Sequence, residues 1–238
     1  MNYQKQNNLF SPKFIKNIIF DGENLQAIGR SGNPTKVFAR QGDLDGFCSI
    51  YSLMMMLIFH QKLDWEDLID RERAKENAFV DCIQRQFLYG LNGLCWGGYV
   101  MDELSNKLNV CFGKKLSEVF TTVPGEHNSV SRRKLHLKIK AQLDARKPVM
   151  LAFWGTTERG HCVVAIGYKK EGNMLHLFCL DPGRPLSFAQ VWNNVIDLDY
   201  LSPDDDAITD INHYAEKEVG VARILIMNDN PPELDCPF

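Results

Sequence analysis

The sequence predicts an α+β protein in which a mainly helical first half precedes a mainly β second half. The first half contains an apolar segment of helical length, CSIYSLMMMLIFHQ at 48–61. The second half contains apolar runs of strand length that are rich in Val, Ile, Leu and Phe: KPVMLAFW, GHCVVAIGYKK and MLHLFCLDPG. Such runs are typical of buried helices and buried strands. A single domain spanning 1–238 has ample core to fold alone.

The first half divides into an N-terminal extension and a helical region. Residues 1–40 mix short apolar pieces with Gly, Asn and Pro, which predicts irregular structure with one or two short strands. Residues 41–130 are the helical half. Its buried helix begins at Cys48, and a second helical region begins at Asp64, whose side chain can cap WEDLIDRERAKENAFVDCIQRQFL. A short helix follows at roughly 100–108.

The second half, residues 131–238, carries the predicted sheet. A basic helix, SRRKLHLKIKAQLDAR, leads into the first strand. The runs GHCVVAIGYKK and MLHLFCLDPG are separated by a short loop with Gly, which predicts a hairpin, and GVARILIM predicts a closing strand. A cleft between the two halves is the expected place for chemistry.

Charge and cysteine usage limit the possible partners. The net charge of −3 argues against nucleic acid or an anionic membrane surface. The seven cysteines include no C-x-x-C pair and no disulfide-framework spacing, which favours free thiols in a reducing compartment. The N-terminus lacks the apolar core of a signal peptide. We expect cytoplasmic synthesis, which leaves open a signal-independent secretion route, and the sequence leaves the oligomeric state open.

Four residues form a candidate catalytic set. Cys48 stands at a predicted helix start, and a helix N-terminus and a nearby imidazolium are the features that most lower a thiol pKa. His161 begins one predicted strand and Asp181 ends the next, so a hairpin brings them side by side. The backbone N–H of Cys48 and the amide of Gln41 are candidate donors to an oxyanion.

These residues resemble the papain-like cysteine peptidases. Gln41 is followed by Gly46-Phe47-Cys48-Ser49 at the start of an apolar helix, and then by GHCVVAIGY and LDPG. Within that superfamily the pattern is most similar to the bacteriocin-processing, double-glycine-leader peptidase family, whose members carry Gln, Cys, His and Asp in this order. The resemblance covers 41–57 and about 132–195.

The resemblance implies a papain-like fold and a role for each candidate residue. Cys48 would be the nucleophile, His161 the general base and acid, Asp181 the orienting acid and Gln41 the oxyanion donor. Two positions depart from the family pattern. Gln41 stands seven residues before Cys48, one more than the usual interval, and Ser49 stands where leader peptidases usually have Gly.

Other families share parts of the pattern. Asp45-Gly46-Phe47-Cys48 is similar to the turn of ovarian-tumour-type deubiquitinases, but His161 is followed by Cys162 instead of an aromatic residue. Transglutaminase-like and arylamine acetyltransferase-like proteins also run Cys, His, Asp. The thioester that such a triad forms is released by water or by an amine, so the triad alone does not fix the reaction.

Three hypotheses follow. The first is a thiol hydrolase that cleaves a peptide or amide bond in a protein or peptide substrate, as a free-standing protease or a bacterial toxin or effector. The second keeps the triad for glutamine deamidation or for transglutaminase-type acyl transfer. The third is a catalytically inactive papain-like binding module. We expect no cofactor and no metal: Met54 stands where a calcium loop opened by Asp43 and Asp45 needs Glu, and His161-Cys162 is too closely spaced for zinc.

Overall fold

The structure is a computed structural model. The residues that it describes are 11–42, 47–88, 101–112, 120–124, 129–154, 160–172, 174–187, 190–199, 208–210 and 218–227. Within these ranges, none of the helices combines the length and the apolar character that crossing a lipid bilayer requires.

The helices in this part of the chain lie mostly in the first half. They are α1 (Cys48–Phe59), α2 (Trp65–Ile69), α3 (Arg71–Lys75), α4 (Ala78–Ile83), a π-helical turn (Gln84–Leu88), α5 (Met101–Phe112) and α6 (Ser129–Asp144). Helix α1 is the buried helix that the sequence predicts, because all of its residues except Tyr51 are buried. A helix that is apolar all round has no face for solvent and must lie in the core.

The region from 64 to 88 is broken where the sequence predicts one helical region. Asp70 ends α2 and begins α3, since its carboxylate accepts hydrogen bonds from the N–H groups of Glu72 and Arg73 at 3.0 and 3.1 Å. Asn77 begins α4 in the same way by accepting the N–H of Val80 at 3.1 Å. Short polar side chains favour such N-cap positions over helix interiors, so these two residues divide the region into separate helices.

The strands form one large antiparallel sheet and one small one. They are β1 (Lys13–Phe14), β2 (Ile19–Phe20), β3 (Leu25–Ile28), β4 (Pro34–Lys36), β5 (Phe120–Pro124), β6 (Val149–Trp154), β7 (Gly160–Glu171), β8 (Met174–Leu180), β9 (Asn194–Asp199), β10 (Ile208–Asp210) and β11 (Glu218–Met227). The pairings run β7–β6–β11–β10–β9–β8 and return from β8 to β7, which closes these strands into a ring. The predicted β7–β8 hairpin and the closing strand β11 are both present.

The N-terminal segment contains more strand than the sequence predicts. Strands β2, β3 and β4 form the small sheet, and β1 pairs with β7 of the large one. A Cβ at Gly167 would come 2.5 Å from the carbonyl oxygen of Lys13 and 2.6 Å from Cδ1 of Phe14. Because a strand can approach this closely only at a glycine, Gly167 allows β1 to join the sheet.

Helix α1 packs against β6 and β7 and so determines where its first turn lies. The buried hydroxyl of Ser52 donates a hydrogen bond to the carbonyl oxygen of Cys162 in β7 at 3.0 Å. Ser52 and Cys48 are four residues apart and therefore share one face of the helix. The first turn of α1 consequently lies against the start of β7, where His161 and Cys162 stand.

Candidate active site

Cys48 is the first residue of α1 and lies at the edge of the core. Its exposed fraction is 8%, and Phe47 precedes it at the N-cap position without a side-chain capping bond. The N–H groups in the first turn of a helix have no partner within the helix and carry a partial positive charge. The Cys48 sulfur therefore lies in a setting that favours a negative charge.

His161 and Asp181 meet because β7 and β8 are antiparallel. Residue His161 is the second of β7, Asp181 directly follows the last residue of β8, and Val164 pairs with Leu180 between them. The Nε2 atom of His161 lies 2.7 Å from Oδ1 of Asp181. The Asp181 side chain is 3% exposed and the His161 side chain 29%, so the histidine is the member that faces outward.

The ring of His161 is bounded on both sides by neighbouring groups. Phe153 packs edge-on against it, with ring centroids 5.5 Å apart and planes at 76°. A Cβ at Gly183 would lie 3.4 Å from Cε1 of His161 and 3.2 Å from Oδ1 of Asp181. These contacts restrict the orientations that the imidazole can adopt.

The Asp181 carboxylate is surrounded by donors. Its Oδ1 atom accepts the N–H of Gly183 at 2.8 Å in addition to the His161 contact. The Nδ2 atom of Asn194 donates to Oδ2 at 3.1 Å, and Nε of Arg184 lies 3.5 Å from the same oxygen. Burial works to raise the pKa of Asp181, but the hydrogen bond and charge of His161 and the Gly183 N–H outweigh it and lower that pKa.

The pKa of Cys48 is lowered to about 5. The largest cause is a hydrogen bond from the thiol of Cys162; burial opposes it, and the hydrogen bond and charge of His161 act with it. The backbone N–H of Cys162 also lowers this pKa. The pKa of Cys162 itself is raised by the same contact and by burial. The negative charge therefore lies on Cys48 and the proton stays on Cys162.

The pKa of His161 moves in the opposite direction. Burial works to lower it, but the hydrogen bonds and charges of Asp181 and Cys48 raise it to about 10. Between these two values the thiol is ionised and the imidazole is protonated, which is a thiolate–imidazolium pair. The structure thus brings Cys48, His161 and Asp181 together as neighbours.

Gln41 lies beside the turn that follows Asp181. Its backbone N–H donates to the carbonyl oxygen of Pro182 at 2.9 Å, and its carboxamide oxygen is buried. Residues 43–46 of the polar turn, which include Asp43 and Asp45, lie outside the described residues. No group of three or more His, Cys, Asp or Glu side chains in the described ranges is arranged to hold a metal ion.

The comparisons with known proteins identify the family. The Peptidase_C39 like family matches residues 35–197, which is more than half of the chain. The chain belongs to this family. The family is one of the papain-like cysteine peptidase clan. No curated protein matches the chain.

This Peptidase_C39 like chain has a distant structural neighbour. The crystal structure of UfSP from C. elegans is similar to it with a TM-score of 0.44 at 12% sequence identity. The match covers 98% of this chain and 36% of the UfSP chain, so the present chain spans about a third of that neighbour's length.

Two contacts at the site of this Peptidase_C39 like chain are absent from the sequence-based prediction. The sequence pattern predicts no catalytic role for Cys162, because its proximity to Cys48 depends on how α1 packs on β7. Asn194 reaches Asp181 because β9 pairs with β8, where Cys179 faces Asn194. The local sequence does not show that Cys162 lies beside Cys48 or that Asn194 lies beside Asp181. The only sequence feature that could have drawn attention to Asn194 is that a polar residue begins an apolar strand.

Proposed function

We propose that this chain is a thiol hydrolase that cleaves a peptide bond through a thioester, with Cys48 as nucleophile, His161 as general acid and base, and Asp181 as orienting residue. The single observation that carries the proposal is the position of His161 between Cys48 and Asp181. There the pKa of Cys48 is lowered to about 5 and that of His161 is raised to about 10. This is the ionisation state that a cysteine nucleophile needs at neutral pH.

Acylation begins with the thiolate of Cys48. The sulfur attacks the scissile carbonyl carbon, a C–S bond forms, and the carbonyl oxygen becomes an oxyanion. Because Nε2 of His161 is held by Asp181, Nδ1 is the ring nitrogen that serves Cys48 and the leaving group. The imidazolium donates its proton to the amine as the C–N bond breaks, which leaves a thioester on Cys48.

Deacylation reverses the roles of the same groups. The now neutral His161 takes a proton from a water molecule, whose oxygen attacks the thioester carbonyl. The C–S bond breaks, the acid product leaves, and Cys48 returns as a thiolate beside protonated His161. Asp181 keeps the imidazole in one orientation and stabilises its positive charge throughout.

The oxyanion is assigned to two donors. The N–H of Cys48 is one of the N–H groups at the start of α1 that have no partner within the helix, where the helix dipole favours a negative charge. Gln41 is the second donor, because its backbone bond to Pro182 holds it beside the turn that follows Asp181. The narrower role of a bacterial toxin or effector protease, and cytoplasmic synthesis with signal-independent export, are expectations that rest on the sequence.

The reactivity of Cys48 tests this proposal without a known substrate. Iodoacetamide is expected to alkylate Cys48 before the other cysteines, with a rate that rises near pH 5 because the pKa of Cys48 is about 5. An unperturbed thiol would react only as the pH approaches about 8.5. Peptide mapping by mass spectrometry over a pH series measures the rate at each cysteine. Equal labelling of the seven cysteines would contradict the proposal.

Cys162 should affect the reactivity of Cys48 in a measurable way. In Cys162→Ala the thiol hydrogen bond to Cys48 is lost, so the pKa of Cys48 is expected to rise by roughly one unit or more. The alkylation onset would then move to higher pH, and Cys162→Ser, which keeps a donor, would show a smaller shift. Cys82→Ala is the matched control, since Cys82 is a buried thiol in α4, outside the site. An onset that stays near pH 5 in Cys162→Ala would refute this assignment.

Deamidation and acyl transfer remain the second candidate, because they use the same thioester. Product mass separates them when a defined peptide library is incubated with the protein. Cleaved peptides indicate proteolysis, whereas intact peptides that gain about one dalton indicate exchange of an amide for an acid. Intact peptides that acquire an added amine indicate transfer. An inactive binding module would leave the library unchanged.

A further inference from the structure

Both oxygens of the Asp181 carboxylate are engaged, and they are engaged by different kinds of partner. Oδ1 accepts from His161 at 2.7 Å and from the Gly183 N–H at 2.8 Å. Oδ2 accepts from Nδ2 of Asn194 at 3.1 Å, while the Nε atom of Arg184 is 3.5 Å away. At that longer distance Arg184 acts through its charge, whereas Asn194 acts through a directed hydrogen bond.

A carboxylate that is held at one oxygen alone can turn about its terminal torsion, which has broad and shallow preferences. A hydrogen bond at Oδ2 removes this freedom. The plane of the carboxylate then fixes the direction in which Oδ1 points at Nε2 of His161. The Asn194 bond therefore constrains the same geometry on which the imidazole depends.

The location of Asn194 is unusual for a residue with a purely packing role. It is 1% exposed and is the first residue of β9, opposite Cys179 of β8. A buried amide is costly unless it is hydrogen-bonded, and an apolar side chain would normally be favoured at a buried strand position. Its neighbour Asn193 holds the backbone of Asp181 instead, accepting its N–H at 2.7 Å and donating to its carbonyl at 2.8 Å.

We propose that Asn194 is a positioning residue of the catalytic site, which holds the Asp181 carboxylate in the plane that aligns His161 with Cys48. This inference rests on the proposed function. The two neighbouring asparagines hold different parts of Asp181: Asn193 binds its backbone, and Asn194 binds its carboxylate.

The test compares Asn194→Leu with the parent protein by NMR titration of the His161 imidazole. Without the amide, the carboxylate loses its fixed plane and part of its stabilisation, and its ion pair with His161 weakens. The pKa of His161, about 10 in the parent, is therefore expected to fall by roughly one unit or more. Asn194→Ser, which retains a shorter donor, is expected to shift it less and provides a second variant if the leucine variant does not fold.

A double-mutant cycle separates positioning from a general structural effect. In an Asp181→Ala background, Asn194→Leu should change the pKa of His161 no further, because the carboxylate through which Asn194 acts is gone. Gln84→Leu is the matched control: it removes another amide of 1% exposure, which binds the carbonyl of Asp67 at 2.6 Å. This control should lower the melting temperature and leave the pKa of His161 unchanged.

The inference is overturned if Asn194→Leu and Asn194→Ser fold and keep the parent pKa of His161, or if the shift is as large in the Asp181→Ala background. Its failure differs from failure of the proposed function. If His161→Ala leaves the alkylation of Cys48 unchanged, the thiolate–imidazolium pair itself is absent and the proposed function fails. If His161→Ala changes that alkylation but the Asn194 variants keep the parent pKa of His161, the proposed function stands and only the role of Asn194 is refuted.

Discussion

Replacing Cys48 with alanine is expected to abolish peptide hydrolysis, with a loss of roughly 10⁵-fold or more. The substitution removes the atom that forms the thioester, and no other described thiol both occupies a helix start and neighbours His161. Cys162 contacts the site, but its raised pKa keeps it protonated at neutral pH. Cleavage of a defined peptide library, measured by mass spectrometry, gives the rate for parent and variant.

Cys82→Ala is the matched control for this variant. Cys82 is a buried thiol at 3% exposure, and it lies in α4, outside the site. Its removal leaves a cavity of similar size without touching Cys48, so the rate should stay near that of the parent. Melting temperatures show whether both variants fold. Substantial cleavage by a folded Cys48→Ala protein would exclude Cys48 as the nucleophile.

The candidate triad was predictable because each member has a local signal. The step from a polar turn to an apolar run marks Cys48 as a helix start, and the paired apolar runs mark His161 and Asp181 as residues at the adjacent ends of a hairpin. Helix α1 forms through contacts that are local in sequence, and β7 and β8 are joined by one short turn. The hydrophobic pattern of the sequence is therefore enough to predict both elements. The conversion of these positions into a 2.7 Å contact between His161 and Asp181 needed only the antiparallel pairing of β7 and β8.

The surroundings of the triad were not predictable in the same way. Asn194 reaches Asp181 through the β8–β9 pairing, and Cys162 reaches Cys48 through the packing of α1 on β7. The Cys162 contact joins segments far apart in the chain, and the Asn194 contact depends on the register between β8 and β9, which are not joined by a predicted tight turn. The pairing of β1 with the large sheet was not predictable for the same reason, since its two residues give no strand pattern and the close approach that Gly167 permits is visible only in the folded chain.

Capping explains why the predicted helical region from 64 to 88 consists of several short helices. Asp64 is the N-cap of the first of them, as the sequence predicts, but the sequence pattern does not show where the region divides. Asp70 and Asn77 each bind N–H groups that follow them, and each thereby begins a new helix. Hydrophobic periodicity does not detect such capping residues, but their hydrogen bonds determine where each helix begins in the folded chain.

His161→Ala is expected to have the second largest effect, and it affects two separate measurements. Hydrolysis should fall by about 10⁴-fold, because neither the leaving amine nor the attacking water has a proton partner. The onset of Cys48 alkylation should also move from about pH 5 to higher pH, since loss of the hydrogen bond and positive charge of His161 raises the pKa of Cys48. The thiol of Cys162 still donates to Cys48 in this variant, so part of the lowered pKa is retained.

The pH dependence of the parent gives the same assignment an independent check. Below about pH 5 Cys48 is protonated, and above about pH 10 His161 loses the proton that the leaving group needs, so hydrolysis should be highest between these values. His176→Ala is the matched control, because Nδ1 of His176 lies 2.6 Å from Asp197 in an equivalent pair on β8 and β9. Its removal should leave both the rate and this pH range unchanged. An onset of Cys48 alkylation that stays near pH 5 in His161→Ala would show that the thiolate is stabilised by Cys162 and the helix start, and that His161 is not its partner.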